Sequence, residues 1–294
     1  MTGEKGRAAA LTELSLVMAA VFWGSNYAAT KYAASHLPQL SIVAFRLLVG
    51  GLLLFLVMRL LEPGNTLGKR DVLPMATLGC LGVAVSQTSF TYGVSMTSTA
   101  NTGLVFATAP VWGLLLGFAL GLERPTRWGL LGVGLSILGV GVVFREGLVG
   151  AEDASLLGDL LVLVAAVTVG AYTVFSMRML ERHSPFAVAT YPMLFGAPLV
   201  LLLASPDLAG LDWPSVDGGA WAAVGFSVVF ATAFAFAAWQ RGISRIGANR
   251  VLVYQYLITL TGVVSGIILF GERLGVDKIL GGAIILLGVY LARR

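Results

Sequence analysis

Ten apolar runs follow one another along the chain, at about residues 14–33, 40–61, 72–93, 99–121, 127–145, 156–180, 186–204, 219–241, 248–270 and 275–292. A helix crossing about 30 Å of hydrocarbon takes about 20 mainly apolar residues, and each run is close to that length. The runs do not alternate apolar and polar residues at every second position, as the strands of a membrane barrel do. Short breakers separate them, among them Glu62-Pro63-Gly64-Asn65, Glu123-Arg124-Pro125 and Ser205-Pro206-Asp207. No connection is long enough to hold a soluble domain. The pattern predicts an all-α membrane protein of ten transmembrane helices.

The second half of the chain echoes the first. At an offset of 147, Lys31 meets Arg178, His36 meets His183 and Pro38 meets Pro185. At 148, Ala100-Asn101 meets Ala248-Asn249. At 149, Gly113 and Gly117 meet Gly262 and Gly266, Glu123-Arg124 meets Glu272-Arg273, and Gly132 and Gly139 meet Gly281 and Gly288. An ordered series of this kind is a duplication with small insertions. Five spans per copy is an odd number, so the second copy enters the membrane from the opposite side. The expected architecture is two inverted five-helix repeats, residues 1–146 and 147–294. That arrangement suits a protein exposing one central site to either side in turn.

Composition agrees with lipid as the main solvent. The 294 residues are 57% hydrophobic and 12% charged, against about 45–50% and about 25% in soluble domains. Cytosolic enzymes, disordered chains and disulfide scaffolds are poor fits, and the single cysteine, Cys80, forbids an intramolecular disulfide. With the N-terminus in the cytoplasm, fourteen of the nineteen Lys and Arg fall on the inside. Lys31, Arg145, Arg273 and Lys278 fall outside, and Arg46 falls within a span. That bias predicts cytoplasmic termini. The net charge of +4 then reflects orientation and anionic lipid, with no nucleic acid as partner. The first span, too long for a signal-peptide core, is expected to stay uncleaved.

Apart from Arg46, the chemistry inside the spans is neutral. All fifteen acidic residues lie in loops, tails or span ends, Asp159 being the deepest. Intramembrane proton relays usually rest on Asp, Glu or His within a span, and both histidines lie in loops beside Pro38 and Pro185. Arg46 has two readings: a functional cation, or an arginine that snorkels or braces a helix. In span one, Trp23, Asn26, Tyr27 and Thr30 share a helix face. Gln87 in span three, Thr108 in four, Thr168 and Tyr172 in six, Thr232 in eight and Tyr254 and Gln255 in nine add hydrogen-bonding groups near mid-depth. Each has a bland reading as an interhelical hydrogen bond, and the set together favours a polar cavity with aromatic walls. Gly113/Gly117 and Gly262/Gly266 provide small-residue faces for close helix packing or sliding, and Pro110 is expected to kink span four. Asn101 and Asn249 begin their spans and are expected to cap them. Trp221 and Trp239, near span ends, read as interface aromatics. No motif for a nucleotide, metal or other cofactor is present: Gly64-Asn65-Thr66-Leu67-Gly68-Lys69-Arg70 is one residue short of a P-loop and lacks its Ser/Thr.

Several of these segments carry a resemblance. Leu122-Glu123-Arg124-Pro125 with Gly132 and Leu138-Gly139-Val140, and Gly271-Glu272-Arg273 with Gly281 and Leu287-Gly288-Val289, close the two halves alike. With Phe22-Trp23-Gly24-Ser25-Asn26 and Ala44-Phe45-Arg46, the chain resembles the EamA-type transporters of the drug/metabolite transporter superfamily, and within them the YddG-type amino-acid exporters of bacterial inner membranes. The resemblance implies a basket-like bundle in which spans five and ten pack outside and the other eight surround a central cavity. It also implies a small-molecule cargo, an amino acid or similar metabolite; a monomer is the expected state, and the lack of catalytic motifs predicts that the chain is not an enzyme. The alternatives are a proton-coupled exporter of other metabolites or drugs, and a structural or signalling membrane subunit.

Overall fold

Apolar segments that must satisfy every backbone N–H and C=O without water fold as helices, and most of the described residues do so. The structure, a computed structural model, describes residues 2–122, 124–148, 155–246, 251 and 254–292. Among them no strand occurs. The helices are α1 (Thr2–Ala34), α2 (Gln39–Leu61), α3 (Lys69–Met96), α4 (Thr99–Ala119), α5 (Arg127–Leu148), α6 (Leu156–Leu180), α7 (Pro185–Gly210), α8 (Gly218–Gly242), α9 (Tyr254–Phe270) and α10 (Val276–Ala292). Seven helices, α2 to α8, are long and apolar enough to cross a membrane. The expectation of ten full spans is met only to that extent. The described runs of α9 and α10 are 17 residues each, and α1 dilutes its apolar residues with Ser25, Asn26 and Thr30. Large apolar side chains such as Leu60, Leu73, Leu202 and Ile268 point outward, each more than 70% exposed.

Packing pairs the helices across the two halves. α1 lies against α8 and α9, α6 against α3 and α4, α2 against α7 and α8, and α3 against α7. α4 meets α9, and α5 meets α10. Exchanging each helix for the one five places along maps these pairings onto one another, while lesser contacts such as α4–α10 and α5–α6 have no counterpart of like extent among the described residues.

Glycine makes the closest seams. A Cβ on Gly139 would lie 2.7 Å from Ile285 Cγ1 and 2.9 Å from the Gly281 carbonyl oxygen. One on Gly288 would lie 2.6 Å from the Ser136 nitrogen. The α5–α10 seam therefore brings two backbones together, which in lipid takes the place of hydrophobic attraction. Gly113 does the same against Gly170 of α6, where a Cβ would sit 3.2 Å from the carbonyl oxygen. Gly117 is buried on the same helix. Gly262 leaves room for the ring of Tyr27, and a Cβ on Gly266 would strike Thr99 Oγ1.

Among the described residues three helices carry a π turn: Arg46–Gly50 in α2, Leu78–Ala84 in α3 and Ser227–Phe234 in α8. The helical run of α4 breaks at Ala107–Thr108, just before Pro110 in the first turn of the next segment. This is the kink expected of a proline that cannot donate to the preceding turn. α4 and α9 each end on a glycine with positive φ, Gly121 at 68° and Gly271 at 64°. That conformation suits glycine, and it turns the chain so that Glu272 faces back into the bundle.

Candidate functional site

The face of α1 read from sequence turns toward α8. The Trp23 indole N–H donates to the Ala231 carbonyl at 2.6 Å, inside the π turn of α8. The Trp23 ring meets Trp239 at 4.9 Å and Phe236 at 5.2 Å. Trp239, expected at the membrane interface, thus joins the same aromatic group as Trp23. One turn on, Asn26 is 2% exposed and its Oδ1 has no hydrogen-bond partner. Thr30 Oγ1, Gln87 Oε1 and Ser227 Oγ are likewise buried and unpartnered. Tyr27 lies further round α1, its ring 5.4 Å from Phe90 and 6.5 Å from Phe106. Tyr254 is half-buried in the same cluster as Tyr27 and Phe90.

Other candidates spend their polar atoms locally. Thr108 Oγ1 donates to the Val105 carbonyl and accepts from the Trp112 indole. Thr168 Oγ1 donates to the Val164 carbonyl one turn back. Thr232 Oγ1 donates to the Ser227 carbonyl, five residues back across the π turn. Tyr172 reaches another helix, donating from its hydroxyl to the Val188 carbonyl of α7 at 2.8 Å. The Gln255 carbonyl accepts from Thr259 Oγ1, and its side chain is half-buried. A cavity of about 190 Å³ lies elsewhere, lined by Cys80, Ala84, Val85, Thr88, Ser89, Leu199, Val200 and Leu203. Several of its walls are exposed apolar side chains, which makes it a groove on the lipid side.

Arg46 resolves one of its two readings. It is 5% exposed, and its Nε and Nη1 are buried without a hydrogen-bond partner. A side chain enclosed by the bundle does not snorkel.

The polar density that sequence reasoning missed lies at the helix ends. At the end reached by the C-terminus of α1, Lys31 Nζ meets Glu272 Oε1 at 3.0 Å and donates to the Thr97 carbonyl at 2.9 Å. The Glu272 carboxylate also accepts from the Thr99 and Ala100 backbone N–H groups, at 2.8 and 3.1 Å, and from Thr99 Oγ1 at 2.9 Å. It caps the N-terminus of α4 from the α9–α10 turn. Burial pushes its pKa up, but the Thr99 N–H, Lys31 and the Ala100 N–H outweigh burial and hold it below the ordinary carboxylate value. Next to it, the fully buried Asp159 accepts from Thr97 Oγ1 at 2.6 Å and from Asn101 Nδ2 at 3.2 Å. Asn101 therefore does not cap α4: Ser98 does, accepting from the Asn101 backbone N–H. Asn249 lies outside the described residues.

At the opposite end, Asp71 pairs with Arg182 at 2.8 Å and His183 at 2.9 Å. Asn65 donates to Glu62 and Ser184 there, and Ser184 also bonds Glu62. The legible signal for the first cluster was the repeated opposite-charge set, Lys31 with Glu272 and Arg178 with Glu123. Glu123 lies outside the described residues.

Known proteins resemble the chain over almost its whole length. The profile of the EamA-like transporter family matches twice, at residues 10–145 and 156–294. An uncharacterized transporter of Archaeoglobus fulgidus is 26% identical over 280 residues, covering 95% of this chain and 97% of its own. A probable terminal-alkyne amino-acid exporter of Streptantibioticus cattleyicolor is 25% identical, covering 95% and 92%. A probable amino-acid metabolite efflux pump of Salmonella typhimurium is 25% identical, covering 94% and 92%. A solved crystal structure superposes with a TM-score of 0.63 at 21% identity, over 96% of this chain and 97% of its own. It supports the fold alone.

Proposed function

From the premise that the chain belongs to the EamA-like transporter family, we propose that it exports small neutral or zwitterionic metabolites, chiefly amino acids with aromatic or other apolar side chains. In this reading ten helices span a bacterial inner membrane with both termini in the cytoplasm. Residues 1–146 and 147–294 form the two inverted repeats around a central path. The distribution of Lys and Arg supports the orientation, and the exchange symmetry of the helix pairings supports the repeats.

One observation carries the proposal. Asn26 Oδ1, Thr30 Oγ1, Gln87 Oε1 and Ser227 Oγ are buried within helices and lack partners. An unsatisfied polar atom away from water costs about 1–3 kcal/mol, so a set of them marks a place that something polar visits. The aromatic group of Trp23, Trp239 and Phe236 stands one turn along α1 from Asn26. Cargo with hydrogen-bonding groups at one end and an apolar side chain at the other fits such a site. Trp23, Asn26, Gln87 and the Tyr27–Tyr254 group are assigned to cargo. Thr108, Thr168, Tyr172 and Thr232, whose hydroxyls are already engaged, shape the walls.

Transport runs down the cargo's own gradient by alternating access. The buried acids Asp71, Asp159 and Glu272 support this, because they sit at helix ends and hold partners there. Purified protein in liposomes tests the reading with radiolabelled phenylalanine and leucine. Counterflow is the expected result, and its absence overturns the cargo assignment. Uphill flux driven by an imposed proton gradient overturns the gradient-driven mechanism instead.

A further inference from the structure

We propose that Arg46 is the anchor for a carboxylate group of the cargo, at a subsite where the π turns of α2 and α8 meet beside α1. The proposal rests on the amino-acid reading above and assigns one end of that cargo.

Arg46 opens the π turn Arg46–Gly50 and is 5% exposed. Its Nε and Nη1 lack hydrogen-bond partners, and among the described residues no ion pair reaches it. Arg46 lies in the first third of α2, where an arginine costs less than about 2.5–3.5 kcal/mol, the mildest scale's value at a helix centre, but its enclosure denies it the water that an interfacial arginine reaches. A buried guanidinium persists where a counter-charge completes it. Among the described residues the buried acids are committed elsewhere: Asp71 to Arg182 and His183, Asp159 to Thr97 and Asn101, Glu272 to Lys31, Thr99 and Ala100. The missing anion is therefore external, and a fork of N–H donors fits a carboxylate in two-point fashion.

The placement supports the same conclusion. Ile42 and Gly50 lie one turn to either side of Arg46 on its helix face. Ile42 packs with Ala220, Val224 and Val228 of α8, and Gly50 faces Thr232, where a Cβ would come within 2.6 Å of its methyl. Arg46 thus lies on the face turned to the π turn of α8, whose Ala231 carbonyl holds Trp23. The π turns of α2 and α8 pack directly on each other, and such turns concentrate at functional sites. The unpartnered oxygens of Asn26 and Thr30 on α1 and Ser227 on α8 are acceptors, suited to an ammonium group. A cation and a set of acceptors in one region match a zwitterion's two ends. The position 147 residues on is Met193, so the guanidinium belongs to one half only and is not part of the repeated frame.

The test compares phenylalanine, phenylalaninamide and phenethylamine in thermal-shift and counterflow measurements on purified full-length protein. The wild type is expected to be stabilised by the acid and little by the amide or amine; equal stabilisation by all three overturns the anchor. In Arg46→Gln, the KM for phenylalanine is expected to rise about tenfold or more, the loss of charged hydrogen bonds being of that size. The acid-over-amide preference disappears with it. A folded Arg46→Gln with unchanged KM and preference overturns the proposal. Where that variant does not fold, Arg46→Lys decides. It keeps the charge and loses the fork, and an acid-over-amide preference equal to wild type overturns the anchor. A wild type that moves no amino acid sinks the amino-acid reading. In that event stabilisation by 3-phenylpropionate, lost in the variant, keeps the anchor, and no stabilisation by it overturns the anchor too.

Discussion

Replacing Glu272 by glutamine keeps the side chain's shape and removes its charge, at a site where the charge is fully used. Four donors converge on the carboxylate: Lys31 Nζ at 3.0 Å, the Thr99 N–H at 2.8 Å, Thr99 Oγ1 at 2.9 Å and the Ala100 N–H at 3.1 Å. An amide retains one acceptor oxygen. Its NH₂ group then confronts whichever donors had faced the second oxygen, here the Ala100 N–H and Thr99 Oγ1. Hydrogen bonds to charged groups contribute about 1.5–3 kcal/mol each, and breaking a buried pair costs about 3–5 kcal/mol. The Lys31 side chain is 22% exposed, so water recovers part of its loss. The expected destabilisation is about 2–4 kcal/mol. Chemical denaturation in mixed micelles, wild type against Glu272→Gln, measures it. A difference below about 0.5 kcal/mol, the size of a neutral surface change, refutes the reasoning.

The pH dependence gives an independent check. Glu272's pKa is depressed in the folded state, since the donors outweigh burial. Its stabilisation is therefore complete above the unfolded carboxylate value of about 4.3. It is lost as pH falls from there through the lower folded value. The gap between wild type and Glu272→Gln is expected to stay constant from neutral pH down to about pH 5 and to close in more acidic solution. A gap that closes on raising the pH contradicts the assignment.

The other predictions concern packing and the neighbouring carboxylate. Gly139→Leu drives side-chain atoms into Ile285 and the Gly281 carbonyl, and a loss of about 1–3 kcal/mol or more in unfolding free energy is expected. Gly134→Ala, where a Cβ meets nothing within 4 Å, is the matched control and changes stability by less than about 0.5 kcal/mol. Asp159→Ala strands Thr97 Oγ1 and Asn101 Nδ2 and lowers stability by about 1–3 kcal/mol in the same denaturation assay. Tyr172→Phe removes one hydrogen bond to Val188; about 1 kcal/mol of stability is lost while the KM for cargo in counterflow stays at the wild-type value.

What was legible in the sequence was whatever the repeat writes twice. Gly132/Gly139 and Gly281/Gly288 announced the α5–α10 seam, because close backbone approach demands a missing side chain on both partners. The positive-φ glycines that end α4 and α9, Gly121 and Gly271, were not read as helix ends from sequence. The π turns were not legible. One extra residue per turn shifts a helix face only locally, and in a run such as Leu78–Ala84, apolar on every side, no polar marker records the shift. The role of Asn101 was misread because two polar residues stand near the start of α4. The nearer one, Ser98, takes the backbone cap and frees the Asn101 amide for Asp159. Glu272 was seen as half of a motif, but its partner Lys31 lies 241 residues away in sequence, and only the folded bundle brings the two together.

The repeated and unrepeated residues divide the labour. Lys31 and Arg178, Glu123 and Glu272, and the glycine seams occur in both halves. In the inverted-repeat mechanism proposed above, these shared features are assigned to the switching frame. The residues assigned to cargo are unmatched. At the same offset of 147 as Lys31 and Arg178, Trp23 meets Gly170, Asn26 meets Thr173 and Arg46 meets Met193. Recognition of an asymmetric molecule needs an asymmetric site, and the second half has left these positions free to supply packing instead: Gly170 for the close approach of Gly113, Met193 for the apolar cluster around Leu47. α1 joins the two roles. Asn26 and Lys31 are five residues apart on it, about 7.5 Å along the axis. In the proposed reading, a displacement of α1 by cargo at Trp23 and Asn26 would reach within two turns the ion pair that ties α1 to α4 and the α9–α10 turn.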